Sequence, residues 1–152
     1  MKLRNRTSYI KSLFKKEMFH IQKKRYMDRK EILISFWQDV ARQNESELKS
    51  YFTTDAYIRW NDTNEEFSVE EYIIANCEYP GDWRGEVERI ELMNDLAITV
   101  TRVWLSDGST SFHVVSFFEF QEDKIAVLNE YWGEDGAIPQ WRLDKLIGQP
   151  IK

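Results

Sequence analysis

The spacing of apolar residues changes period once along the chain. Ile32, Leu33, Phe36, Trp37, Val40 and Ala41 recur every three or four residues. That spacing predicts an amphipathic helix ending near Gln43, with Asp28 and Glu31 placed as a capping-box-like start. A short helix over 46–52 turns Leu48, Tyr51 and Phe52 inward, a strand follows over 56–60, and Asn61-Asp62-Thr63-Asn64 reads as a polar loop. Ser68-Val69-Glu70-Glu71 is a second capping box, flanked by Phe67 and Tyr72 as a hydrophobic staple, and its helix stops before Pro80-Gly81. Beyond that point the pattern alternates. Strands are predicted over 84–93, 96–106, 109–121 and 124–132, joined by Asn94-Asp95, Asp107-Gly108 and Glu122-Asp123. Such short connections make antiparallel hairpins, and Asp-Gly is the strongest of these turn signals.

Helices first and a long meander afterwards give an α+β domain with helices against one face of a curved antiparallel sheet. Turn lengths fix the register, and register fixes which side chains share a face. A two-residue turn at Asp107-Gly108 opposes Arg102 with His113, and one at Glu122-Asp123 opposes His113 with Trp132 and Val115 with Glu130. This reading collects Ile98, Val100, Arg102, Trp104, His113, Val115, Phe117, Leu128, Glu130 and Trp132 on one face, taken as the concave, pocket-lining side. The other face holds Ala97, Thr99, Thr101, Val103, Phe112, Val114, Ser116 and Phe118, a mixture suited to a second subunit. At the Asn94-Asp95 hairpin the preferred register sets Glu88 against Arg102 and turns Ile90 and Leu92 inward.

Composition narrows the class. A chain of 152 residues with 42% hydrophobic and 31% charged residues suits one domain with one core. Charge is divided unevenly: residues 1–30 carry +9 and the remainder −14, which argues against nucleic-acid binding by the domain. The expected organisation is a basic extension over 1–27, a domain over 28–142 and a tail over 143–152. The extension reads as a helix or a poorly ordered tail, and Met27 is an alternative start. Membrane-surface contact through residues 9–25 is the less favoured reading of its basic, amphipathic pattern. The single cysteine, Cys77, and the lack of a secretory signal or a long apolar run point to a cytoplasmic setting.

Three motifs carry a resemblance over residues 28–142: Tyr79-Pro80-Gly81-Asp82-Trp83-Arg84-Gly85, the strand His113-Val114-Val115-Ser116-Phe117-Phe118, and Lys124-Ile125 leading to Glu130-Tyr131-Trp132-Gly133-Glu134. Together with the helix–helix–strand–helix order, they resemble the SnoaL-like branch of the nuclear transport factor 2-like superfamily. The resemblance implies a cone-shaped α+β barrel of cystatin-like architecture, three helices against the sheet, a pocket between them, and homodimerisation through the outer sheet face. It also implies a range of functions: polyketide cyclases, steroid isomerases, dehydratases and proteins without a known reaction. The isomerase set of an aspartate base with tyrosine and aspartic acid donors has no matching positions in this chain.

Arg102, His113 and Glu130 form the polar cluster that strand pairing predicts. A histidine beside a carboxylate can take a proton from a carbon acid while Arg102 steadies the resulting enolate. The competing reading is an ion-pair network closing the mouth of the barrel. For the pocket wall the candidates are Trp37, Trp60, Cys77, Trp104, Phe117 and Trp132, the indoles because tryptophan lines sites for flat ligands. Cys77 alternatively is a buried, inert thiol. Two histidines and no paired cysteines give no metal site, and no phosphate-cradling glycine loop is present, so no cofactor is expected. The expected partner is a small apolar or carbonyl-containing molecule. Its handling is either binding alone or cofactor-free acid–base chemistry, and the alternative is a non-catalytic dimeric interaction module.

Overall fold

The structure is a computed structural model describing residues 3–151, with side chains described at 10–24 and from 28 onward. Met1, Lys2 and Lys152, the extremes of the predicted extension and tail, lie outside the described residues.

Helix α1 runs without interruption over Leu3–Ala41. Asp28 therefore does not start a helix, a correction with a simple cause: no Gly or Pro occurs before residue 42 to break one. Its two halves differ in surroundings. Ile10, Leu13, Phe14, Met18, Phe19 and Ile21 are exposed, whereas Leu33, Phe36, Trp37 and Val40 are buried. The changeover is marked by Arg29, whose buried guanidinium donates to Asn94 O, to Asp95 Oδ1 at 2.8 Å and to Glu122 O at 3.0 Å. It also lies over the Phe120 ring, so one side chain ties the helix to two hairpin tips.

Helix α2 (Glu45–Leu48) and a 3₁₀ turn (Lys49–Tyr51) lead into strand β1 (Phe52–Trp60), so Phe52 belongs to the strand rather than to a helix. The polar loop turns into β2 (Glu65–Ser68), a strand its acidic sequence concealed. Helix α3 (Val69–Cys77) opens as its sequence requires. Ser68 Oγ accepts from Glu71 N, and Glu71 Oε2 accepts from Ser68 N at 2.8 Å; such a cap contributes ~0.5–2 kcal/mol. The meander follows as β3 (Trp83–Met93), β4 (Leu96–Leu105), β5 (Ser111–Gln121) and β6 (Lys124–Glu134), then a short α4 (Gln140–Asp144).

The six strands form one sheet in the order β2-β1-β6-β5-β4-β3. All neighbours are antiparallel except β1 and β6, which are parallel. The sheet is curved and unclosed, giving the α+β, cone-shaped architecture with helices packed against it. Phe36 sits at the centre of the core, its ring 5.5–6.5 Å from those of Trp37, Tyr51, Phe52, Tyr72 and Phe118.

Two registers decide the site. In β4–β5, Arg102 pairs with His113 as the turn requires. In β5–β6 the pairing starts at Gln121–Lys124 as expected, then shifts between Glu119 and Phe120, leaving Ala126 as an extra residue. Beyond this bulge Val114 opposes Trp132, Ser116 opposes Glu130, and His113 opposes Gly133. One added residue exchanges the faces of everything that follows. Consequently Ala97, Thr99, Thr101, Val103, Val114, Ser116 and Phe118 face the helices and are buried with Leu128 and Glu130, correcting their expected outward placement. Trp37 Nε1 donates to Thr99 Oγ1 at 3.1 Å, which accounts for a hydroxyl residue in the core. In β3–β4 a second bulge at Glu88 sets Glu86, not Glu88, against Arg102, while Ile90 and Leu92 pack inward as expected.

Candidate functional site

Where the end of α1, the end of α3 and the inner sheet face diverge, they leave a cavity of about 300 Å³. Trp60, Trp83, Phe112 and Trp132 supply its aromatic wall, Val40, Ala41 and Val103 its floor, and Asp62, Thr63 and Tyr79 its exposed rim. The rings form one contiguous surface. Trp132 lies 6.3 Å from both Trp60 and Phe112, Phe112 lies 6.1 Å from Trp83, and Trp83 lies 5.5 Å from Tyr79. The tight loop before β3 makes this possible. Gly81 adopts φ +125°, and a Cβ there would meet Leu105 Cδ2 at 2.4 Å and Trp83 Nε1 at 2.9 Å.

Behind the wall lies Glu130, a carboxylate with no solvent exposure. Trp60 Nε1 donates to its Oε2 at 2.7 Å, Trp132 Nε1 to the same oxygen at 3.2 Å, and Ser116 Oγ to Oε1 at 3.4 Å. No Lys, Arg or His pairs with it among the described residues. Burial raises the carboxyl pKa to about 7, against the opposing pull of the three hydrogen bonds. The group therefore changes charge near neutrality inside an apolar shell.

The predicted polar trio is separated. Glu130 is on the inner face, while Arg102 and His113 are on the outer face, because the bulge at Ala126 moves β6 by one position. There His113 Nδ1 is hydrogen-bonded to Asp135 Oδ1, Nε2 lies 3.4 Å from Glu88 Oε2, and Arg102 Nε lies 3.8 Å from Asp135 Oδ2. Burial alone would raise the Asp135 carboxyl. The Ser111 hydroxyl, the hydrogen bond and charge of His113, and the charge of Arg102 together outweigh it and hold the carboxyl below its ordinary value. This is a half-exposed ion-pair network.

The predicted wall residues divide in the same way. Trp60 and Trp132 line the cavity; Trp104 lies under Arg102 on the outer face, and Phe117 packs against Tyr131 there. Trp37 is buried in the core with its N–H on Thr99. Cys77 is half-buried against the core, outside the cavity wall, and burial pushes its thiol pKa up. The sequence reading passed over Trp83, Phe112 and Asp62. Trp83 had a signal, since it follows a Pro-Gly turn that must bring the chain back over the end of α3.

No family model and no curated protein matches the sequence. Solved structures do match in shape. A candidate ketosteroid isomerase from Kribbella flavida aligns with TM-score 0.68 and 20% identity over 83% of this chain and 92% of the other. A nuclear transport factor 2-like protein of unknown function from Burkholderia xenovorans gives 0.67 and 23% over 83% and 98%. A candidate SnoaL-like polyketide cyclase from Jannaschia gives 0.59 and 11% over 70% and 85%. The chain has the nuclear transport factor 2-like fold, the one the sequence resemblance implied. At these identities the likeness concerns the fold alone, and function has to be argued from the cavity.

Proposed function

We propose that this chain is a small-molecule-binding protein of the SnoaL-like kind, its ligand held in the cavity between α1, α3 and the sheet. The observation that carries this reading is the cavity itself: a concave, mostly apolar space walled by Trp60, Trp83, Phe112 and Trp132. A space of that size is at the lower end of the range for small-molecule sites. Trp60 and Trp132 stand between it and Glu130, so the carboxylate acts by positioning and polarising the indoles rather than by touching the ligand. Binding has direct geometric support. Cofactor-free proton transfer on a carbonyl compound would require Glu130 to be uncovered.

The outer sheet face supports a second component of the proposal, a homodimer. Ile98, Val100, Val115 and Phe117 are only half-buried in one chain, and Tyr131 is exposed. An apolar patch on a sheet face is the kind of surface that pairs with another copy. Titration of intrinsic tryptophan fluorescence with small apolar molecules tests the binding reading. Saturable quenching in the parent that is lost in Val103→Trp, where the added indole occupies the cavity, is the expected result. Equal quenching in both proteins would reject it.

A further inference from the structure

The cavity's polar groups are unevenly supplied. Its N–H donors are largely engaged within the protein. Gln43 Nε2 donates to Asn76 O and Tyr79 O, Asn76 Nδ2 to Tyr72 O, Trp83 Nε1 to Pro80 O, and the indoles of Trp60 and Trp132 to Glu130. Acceptors remain: the Asp62 carboxylate and the side-chain carbonyls of Gln43 and Asn76. No Lys, Arg or His occurs among the described residues that line the space. An enolate or carboxylate ligand would meet few donors and no positive charge, whereas a cation would meet acceptors and ring faces.

Glu130 points the same way independently. It is a buried carboxylate without a cationic partner among the described residues, an arrangement that carries a large desolvation penalty. Hydrogen bonds from two indole N–H groups to one carboxylate oxygen also push electron density into those rings, strengthening the attraction of their faces for positive charge. The enriched rings border the cavity, and the carboxylate that lacks a countercharge is hydrogen-bonded directly behind them.

We propose that the cavity selects organic cations, namely amines or quaternary ammonium compounds with modest apolar substituents. The proposal rests on the small-molecule reading above and specifies its ligand class. The ammonium sits against the faces of Trp60 and Trp132, Asp62 flanks the entrance, and Glu130 supplies charge through the indoles. Because a bound cation favours the ionised carboxylate, affinity rises as pH passes upward through the titration of Glu130 near 7. The groups facing that carboxylate are Trp60, Trp132, Ser116, the buried Tyr72 hydroxyl and the more distant Asp62 carboxylate. Burial holds the Tyr72 hydroxyl neutral, its pKa well above the ordinary value, and the change near 7 belongs to Glu130.

The test compares choline with its neutral isostere 3,3-dimethylbutan-1-ol by calorimetry or tryptophan fluorescence on the full chain. The expected result is a preference for choline of about tenfold at pH 8, falling severalfold at pH 5.5. Asp62→Asn, a change at the exposed rim that spares the core, is expected to weaken choline severalfold, and Glu130→Gln to remove the pH dependence of the preference. Equal or tighter binding of the alcohol would overturn the cation assignment while leaving a ligand cavity in place. Absence of binding by both probes would overturn the assignment and count against the cavity reading as well. A preference for choline that survives Asp62→Asn and Glu130→Gln together would reject the stated source of selectivity.

Discussion

The two faces of this one sheet carry similar chemistry under opposite conditions. Glu130 and Asp135 are both acidic side chains at the C-terminal end of the meander, and each accepts hydrogen bonds from ring N–H and hydroxyl groups. On the inner face Glu130 is sealed from water with only neutral donors, and its carboxyl is raised. On the outer face Asp135 has His113 and Arg102 beside it with water at hand, and its carboxyl is lowered. Residue type does not distinguish them. Dielectric surroundings and the sign of the neighbours do, so the carboxyl that changes charge near neutrality is the one on the face where water is excluded.

The largest expected effect comes from neutralising the inner acid. The Glu130 carboxyl titrates near 7 in the folded chain against 4.5 as its ordinary value. The unfolded chain loses that proton first, so this group's contribution to stability declines as pH rises from about 4.5 to about 7 and is level above. The total is roughly 3 kcal/mol. Denaturant unfolding across that range should show the decline in the parent and a much flatter profile in Glu130→Gln. Identical slopes would mean the carboxylate is solvated.

Filling the cavity comes next. Val103→Trp is expected to destabilise the fold by ~1–3 kcal/mol while abolishing ligand-dependent fluorescence changes. A variant that still binds would place the ligand elsewhere. On the outer face, Phe117→Glu puts a charge into the proposed dimer contact. Sedimentation equilibrium should show the parent as a dimer and the variant shifted to monomer, and a parent that is monomeric at high concentration would remove that proposal. The smallest effect belongs to His113→Ala. Its ion pairs are half-exposed, where such pairs contribute ~0–1 kcal/mol, and ligand affinity should stay within about twofold. A large loss of affinity there would show that the outer network reaches the cavity after all, and the contrast between the faces would fail.

Local features were legible because local physics sets them. The capping box at Ser68, the Asp107-Gly108 turn with Gly108 at φ +75°, and the pairing of Arg102 with His113 all follow from residues within one turn of each other. The candidate site was legible only in pieces. Trp60 and Trp132 could be placed on strands and Glu130 on the concave side, but their partners could not. Both sheet faces are rich in valine and phenylalanine: Val103, Val114 and Phe118 inward, Val100, Val115 and Phe117 outward. Alternation therefore did not say which face meets the helices. Thr99 and Ser116 looked like surface residues because their hydroxyl partners, the Trp37 indole and the Glu130 carboxylate, come from distant segments.

What the sequence determined alone was most of the elements, β2 and α4 excepted: helices where apolar residues recur every three or four positions, strands where they alternate, and turns where Gly, Asn and Asp permit them. What only the tertiary structure decided was the inside and the outside. A single extra residue at Ala126 reverses the faces of the paired strands, and the parallel docking of β1 on β6 brings Trp60 to Glu130. Both are long-range pairings whose energy comes from burying one face of the sheet against α1 and α3, and no window of adjacent residues records that choice.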